Sequence, residues 1–183
     1  MPRLFTGLEI PADVVDRLSA FCGGLPGARW VDEDDLHITL RFLGDVDIDT
    51  ANAVHALLEE ARPRAPIAIE LDGLAIFGGT KPRAVYASVA TNTELADLQA
   101  EHERIARHAG LDPEPRKFTP HVTLARLNRS TGAEAVAHYL TQTGIFSRVS
   151  FTARRAALFS ARASRGGGPY VVETAYPFVL GEA

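Results

Sequence analysis

Apolar and polar positions alternate in two short runs of this chain. In "LHITLRFLG" (36–44) the apolar Ile38, Leu40 and Phe42 interleave with His37, Thr39 and Arg41. In "PHVTLARL" (120–127) the same opening returns 84 residues later. A period of two sends one set of side chains into a core and leaves the other on the opposite face of a sheet. Both runs are predicted strands, and each has an unusual polar face: a histidine followed by a hydroxyl.

The pattern elsewhere predicts four helices among further strands. Strand-like stretches occupy 3–10, 28–31, 67–78, 84–90, 145–152, 154–162 and 169–179. Helical spacing marks Val14, Val15, Leu18 and Phe21 after Pro11, in a helix that Gly23-Gly24 ends. It marks a second helix from a cap at Asp49 or Thr50 to about Arg62, closed by Pro63 and Pro66. A third begins at Asn92 or Thr93 and stops at Gly110, and a fourth runs from Ala133 to Thr143. The run Gly166-Gly167-Gly168 reads as a hairpin turn, because it lacks the Lys-Ser/Thr and the helix of a phosphate-binding loop. The order lacks the strict βαβα rhythm of a parallel sheet, so the expected class is α+β. The doubled motif adds a bilobal body of pseudo-duplicated antiparallel sheets, taken as one domain over 1–183. Outside the motifs no repeat is visible.

Composition narrows the setting. The 183 residues are 46% hydrophobic and 23% charged, ordinary globular values. A single cysteine, Cys22, gives no internal disulfide framework and fits a reducing compartment, where it reads as a small buried hydrophobe. The N-terminal stretch is too short in apolar length for a signal peptide, and no run approaches the ~18 apolar residues of a membrane span. The expectation is a cytoplasmic protein with no membrane or protein partner, a monomer. The net charge of −4 argues against a large nucleic-acid footprint. It hides an asymmetry: residues 1–115 carry 10 Lys+Arg against 20 Asp+Glu, and residues 116–183 carry 9 against 3. Either the C-terminal third lines something anionic, or the two parts attract each other.

Two histidines can do paired work, because imidazole titrates near neutrality. One takes a proton from an attacking water and the other gives one to the leaving oxygen, each worth typically ~10²–10⁴-fold. Thr39 and Thr123 share the faces of His37 and His121, where their hydroxyls can donate to a bound anion. The remaining histidines, His55, His102, His108 and His138, fall in helical segments and read as structural. No metal-ligand spacing is present, so neither a metal nor another cofactor is expected.

The paired "HITL" (37–40) and "HVTL" (121–124) resemble the two-histidine phosphoesterase superfamily. The surrounding "RLFTGLEIP", "RWVDEDDLHITLRFLGDV" and "FTPHVTLARL" resemble the RNA 2′,3′-cyclic phosphodiesterases within it, also described as 2′–5′ RNA ligases. The resemblance implies a bilobal α+β fold with helices outside and both motifs on facing strands of a central cleft. It implies metal-independent opening of a 2′,3′-cyclic phosphate, at an RNA terminus or on a small cyclic nucleotide, to a 2′-phosphate. It makes His37 the proton donor, His121 the acceptor and Arg126 a phosphate ligand. The alternatives are 2′–5′ ligation by the reverse chemistry and a nucleotide-binding module without turnover.

Charge along the chain gives the two roles weak support. His37 follows four acidic residues, which favour imidazolium, and His121 lies between Arg116-Lys117 and Arg126, which favour the neutral ring. Strict alternation places Arg41 on the face of His37 and Arg126 opposite to His121, so a bulge, a strand end or a long reach must re-aim Arg126. Phe5 and Phe118 are candidates for base stacking. Arg154, Arg155, Arg162 and Arg165 either extend a positive surface beside the cleft or face outward from strands.

Overall fold

A computed structural model describes residues 3–161 and 169–179; Arg162, Arg165 and the turn at Gly166-Gly167-Gly168 lie outside the described residues. The chain begins with strand β1 (Arg3–Glu9), helix α1 (Ala12–Ser19), the short β2 (Ala28–Trp30), a 3₁₀ turn (Glu33–Asp35) and β3 (His37–Asp45). Helix α2 (Ile48–Glu59), strands β4 (Ile67–Phe77) and β5 (Ala84–Val89), α3 (Thr93–His108) and β6 (His121–Leu127) follow. Helix α4 (Ala133–Gln142) and strands β7 (Val149–Ala153), β8 (Arg155–Ala161) and β9 (Tyr170–Pro177) complete the described order.

Local chemistry sets these boundaries. The Pro11 carbonyl accepts from the Val14 and Val15 amides and starts α1. That helix stops at Ser19, earlier than its apolar spacing predicts, because Phe21 and Cys22 turn back in tighter i→i+3 bonds to Leu18 and Ser19. Cys22 therefore sits beyond the helix and only half-buried. Asp47 caps α2 by accepting from the Thr50 amide at 2.7 Å, two or three residues before the expected cap. Asn92 caps α3 as expected, accepting from Leu95 N–H at 2.9 Å, and its own amide donates to the Ala68 carbonyl of β4.

The described strands form one antiparallel sheet in the order β7-β4-β5-β6-β3-β1-β8-β9, with β2 also paired to β6. β3 and β6 meet at one register pair, Ile38↔Val122. That seam divides the sheet into halves of matching plan. In one half β1-α1-β3-α2 is extended by β8 and β9; in the other β5-α3-β6-α4 is extended by β4 and β7. The duplication inferred from the two motifs is thus real in the backbone. The expected pair of sheets is one continuous sheet, and the motif strands are neighbours at its seam.

One apolar cluster runs beneath the seam. Ile38 and Leu40 of β3, Val122 and Leu124 of β6, Val14 and Leu18 of α1 and Leu95 and Leu98 of α3 all belong to it. The helices cover this face and leave the opposite one, with the histidines, open. Gly7 on β1 lets the sheet close beside the site, since a Cβ there would lie 2.6 Å from the Ile38 carbonyl oxygen. No helix among the described residues is long and apolar enough to cross a membrane.

His102, 4% exposed, is an ionisable group buried in the core. It shares a 2.8 Å hydrogen bond with the Thr6 hydroxyl, and burial, then the nearby Arg64 charge, hold its pKa at about 3. Its folded pKa lies below the unfolded value of about 6.5, so the unfolded chain binds the proton first. The neutral ring carries no penalty above pH 6.5, and stability is lost as pH falls toward 3, by about 1.4 kcal/mol per pH unit at most. Urea midpoints measured between pH 7.5 and 5 should fall steeply for the native chain and less for His102→Gln. Equal slopes would assign the acid sensitivity elsewhere.

Candidate active site

His37 opens β3 and His121 opens β6, one residue from the seam pair on either side. Both rings are held in the same way. His37 Nδ1 lies 2.7 Å from the Asp35 carbonyl and His121 Nδ1 2.6 Å from the Thr119 carbonyl, in each case two residues back. A carbonyl only accepts, so Nδ1 carries the proton in both rings and Nε2 is the atom left for chemistry. Thr39 Oγ1 is 3.0 Å from His37 Nε2. Its hydroxyl is therefore spent on the imidazole, and a bound phosphate would have to take that bond over. Thr123 holds the matching place on β6, half-buried.

Aromatic side chains from neighbouring strands wall each imidazole. Around His37 stand Phe5 (ring centroids 4.7 Å apart), Tyr170 edge-on (5.0 Å) and Phe159 (5.7 Å). Around His121 stand Phe77 (4.8 Å) and Tyr86 (5.3 Å), themselves stacked at 4.0 Å. The sequence reading missed Phe77, Tyr86, Phe159 and Tyr170. Strand alternation alone does not say which aromatic lies beside which histidine, because that depends on cross-strand register. Phe5 is a correction: it is 4% exposed, stacked on Phe159 at 4.8 Å, and packs on His37 with no face open to a base. Phe118 is half-buried against the main core, which likewise argues against base stacking.

The two arginines change places relative to strict alternation. On β3, Thr6 pairs with Arg41 while the next residue, Gly7, pairs with Thr39, which leaves Leu40 as an extra residue. On β6, Val85 pairs with Ala125 and Tyr86 with Thr123, which leaves Leu124 extra. Both strands thus bulge at the third residue after the histidine, and each bulge inverts the alternation beyond it. Leu40 and Arg41 are buried in succession, as are Leu124 and Ala125. Arg126 returns to the face of His121 and Thr123. Arg41, 6% exposed, turns inward, where it bonds Glu103 of α3 and the carbonyls of Phe42 and Asp112. By the pseudo-symmetry Phe42 occupies the place of Arg126 in the first half; it is 36% exposed, with the Arg3 guanidinium 5.2 Å from its ring centre.

Electrostatics couple the pair. Burial is the main cause that pulls the His37 pKa below its ordinary value, with the His121 and Arg126 charges adding; the Asp35 carbonyl bond and carboxylate oppose it. His121 is lowered by burial and by Arg126, against the Thr119 carbonyl bond. Positive charge on one ring thus disfavours positive charge on the other. The expectation that the acidic run would hold His37 protonated fails, because burial outweighs the pull of Asp35, and two members of the run also hold other bonds. Glu33 accepts from the Ser19 hydroxyl at 2.6 Å, and Asp35 Oδ1 accepts from Tyr170 N–H at 2.8 Å. Arg116 is turned onto Glu114 at 2.8 Å, which leaves Arg126 as the cation acting on His121. Both readings of the charge asymmetry have a share: Arg155 grips Glu9 (2.7 and 3.0 Å) and Arg148 meets Glu70 (2.9 Å), while Arg126 lines the site. Arg154 is exposed on its strand connection.

The chain is similar to several known proteins. A family model described as the 2′-5′ RNA ligase superfamily matches residues 9–165. An Aeropyrum pernix protein named RNA 2′,3′-cyclic phosphodiesterase is 36% identical over 123 residues, 66% of this chain and 69% of its own length. A Bacillus subtilis protein of the same name is 31% identical over 164 residues, 86% of this chain and 87% of its own. The match to a Geobacillus stearothermophilus protein of that name, at 34% identity over 67% of this chain, spans 41% of that relative's length. Among solved structures, E. coli LigT complexed with 3′-AMP superposes with a TM-score of 0.77 at 22% identity, over 98% of this chain and 100% of that one. The Thermus thermophilus protein TT0787 does so at 0.76 and 24%, over 96% and 97%.

Proposed function

The chain belongs to the 2′-5′ RNA ligase superfamily, and on that footing we propose that it is a phosphodiesterase that opens RNA 2′,3′-cyclic phosphates to 2′-phosphates with His37 and His121 as its acid and base. The observation that carries the reading is the matched pair of imidazoles at the seam, each tied through Nδ1 and each offering Nε2. His121 Nε2 takes the proton of a water whose oxygen attacks phosphorus. The phosphorus–O3′ bond breaks, and His37 gives its proton to the departing O3′. Arg126, returned to this face by the Leu124 bulge, counters the charge gathering on the phosphoryl oxygens. Thr39 and Thr123 serve the same oxygens from the strands. The mechanism needs no metal, and turnover should survive a chelator. The substrate is an RNA terminus or a small cyclic nucleotide, and the protein acts as a cytoplasmic monomer, in keeping with its single cysteine.

Product analysis of a short RNA with a cyclic end should yield the 2′-phosphate; a 3′-phosphate would reverse the leaving oxygen. The pH profile of kcat/KM should be bell-shaped, since the base must be neutral and the acid charged. Both imidazoles of the free protein lie below the ordinary histidine value, so both limbs should sit on the acid side of about 6.5. A rate independent of pH from 4.5 to 8 would exclude the paired assignment. Ligation, in which a 5′-hydroxyl replaces water, uses the same two groups; the family description favours keeping it in view, and joining of tRNA halves is its assay.

A further inference from the structure

The two halves of the site differ at one matching place. The residue two before each histidine holds the ring through its carbonyl: Asp35 for His37 and Thr119 for His121, at 2.7 and 2.6 Å. Asp35 is 7% exposed, whereas Thr119 lies open to solvent. One imidazole thus has a buried carboxylate beside its anchor, and the other has a neutral, exposed hydroxyl.

Local structure fixes where that carboxylate sits. Asp35 ends the 3₁₀ turn, and its amide donates to the Asp32 carbonyl at 2.9 Å. Leu36, buried in the main core, anchors the step into β3. Asp35 Oδ1 accepts from Tyr170 N–H at 2.8 Å, at the start of β9. The Tyr170 ring in turn stands edge-on to His37 (5.0 Å) and to Phe5 (5.1 Å). Asp35 therefore holds the His37 ring with its carbonyl and part of the wall around that ring with its carboxylate. A carboxylate removed from water needs donors or positive charge close by. Tyr170 N–H is a donor, and an imidazolium at His37 is a counter-charge that the turn sets near it.

The groups facing His37 come from three elements. Asp35 favours the charged ring, His121 and Arg126 of β6 disfavour it, and Tyr170 of β9 presents a ring edge. On His121 the acting charge is that of Arg126. Resting on the cyclic phosphodiesterase reading, we infer that Asp35 is a positioning residue that fits His37, and not His121, to be the proton donor. Its carbonyl leaves Nε2 for chemistry, and its carboxylate supports the imidazolium that must be present before O3′ departs. Burial outweighs that support, so loss of the carboxylate leaves fewer charged rings, not none. The same asymmetry resets the site. Turnover leaves the proton of water on His121 and none on His37 Nε2; His121 releases its proton to solvent, and the Asp35 charge favours uptake of one at His37.

Asp35→Asn tests this, since it keeps the size, the backbone carbonyl and an oxygen for Tyr170 N–H, and removes the charge. It should lower kcat/KM for a nucleoside 2′,3′-cyclic phosphate at pH 7 by about tenfold, the order expected when an opposite charge near an imidazole is lost. An aryl phosphodiester, whose phenolate leaves without a proton, should lose far less. Imidazole NMR titration should show His37 holding its proton less tightly in Asp35→Asn than in the native protein, with His121 nearly unmoved. Equal losses on the two substrates, no loss on either, or an unmoved His37 titration overturns the inference. Should Asp35→Asn not fold, the Asp35 carboxylate carbon signal of the native protein decides. It should shift as His37 titrates, and a silent signal overturns the inference. If the native protein turns over neither substrate, the parent reading fails, and the NMR titrations still decide whether Asp35 sets the charge of His37.

Discussion

Alanine at His121 or at His37 should each cut hydrolysis of a 2′,3′-cyclic phosphate by about 10²–10⁴-fold, and the double variant should fall little below the worse single one. Residual turnover should come from Arg126 and from positioning. Each ring packs against aromatic walls, so truncation leaves a gap, and near-native melting temperature is the condition for reading the rates. The two roles separate through the leaving group. An aryl phosphodiester whose phenolate departs without a proton should restore much of the rate to His37→Ala and little to His121→Ala. Restoration of His121→Ala instead would exchange acid and base. Turnover near the native rate in either folded variant would remove the histidines from the mechanism.

Alternation in "HITL" and "HVTL" was enough to find the site because local period dictates side-chain face over four residues. Past the fourth residue it misled. Leu40 and Leu124 look like ordinary core positions, and nothing in their side chains announces that the partner strand skips them. Each bulge is a property of the pairing with β1 or β5, and pairing register is not written in one strand. Arg41 accordingly read as a cleft residue and is instead a buried tie to α3. The aromatic walls were hidden for the same reason, since Tyr170 reaches His37 from a strand beyond the immediate neighbours of β3 in the sheet. The helices and most strand bounds were legible, because their caps and periodicities are local. The acidic run misled in another way: sequence counts charges, whereas burial decides the ionisation of His37.

The matching bulges make Arg126 the sharpest single test of the site after the histidines. Arg126→Gln should lower kcat/KM by about 10²–10³-fold, the cost of removing one preorganised donor from a developing oxyanion. Arg126→Lys should recover only part of this, because an ammonium keeps the charge but not the two-pronged fork. The pH profile supplies a readout that a merely structural role would not move. The Arg126 charge depresses both imidazoles, so its removal raises both pKa values, and both limbs of the bell should shift to higher pH in Arg126→Gln. Arg41 is the control from the other half. Arg41→Gln takes the guanidinium from Glu103, which keeps only the Glu114 amide, and should lower the urea midpoint, while the pH limbs of the folded protein stay in place. If Arg41→Gln moved the limbs and Arg126→Gln did not, the bulges would have been assigned to the wrong effect, and strict alternation would be the better guide to the site.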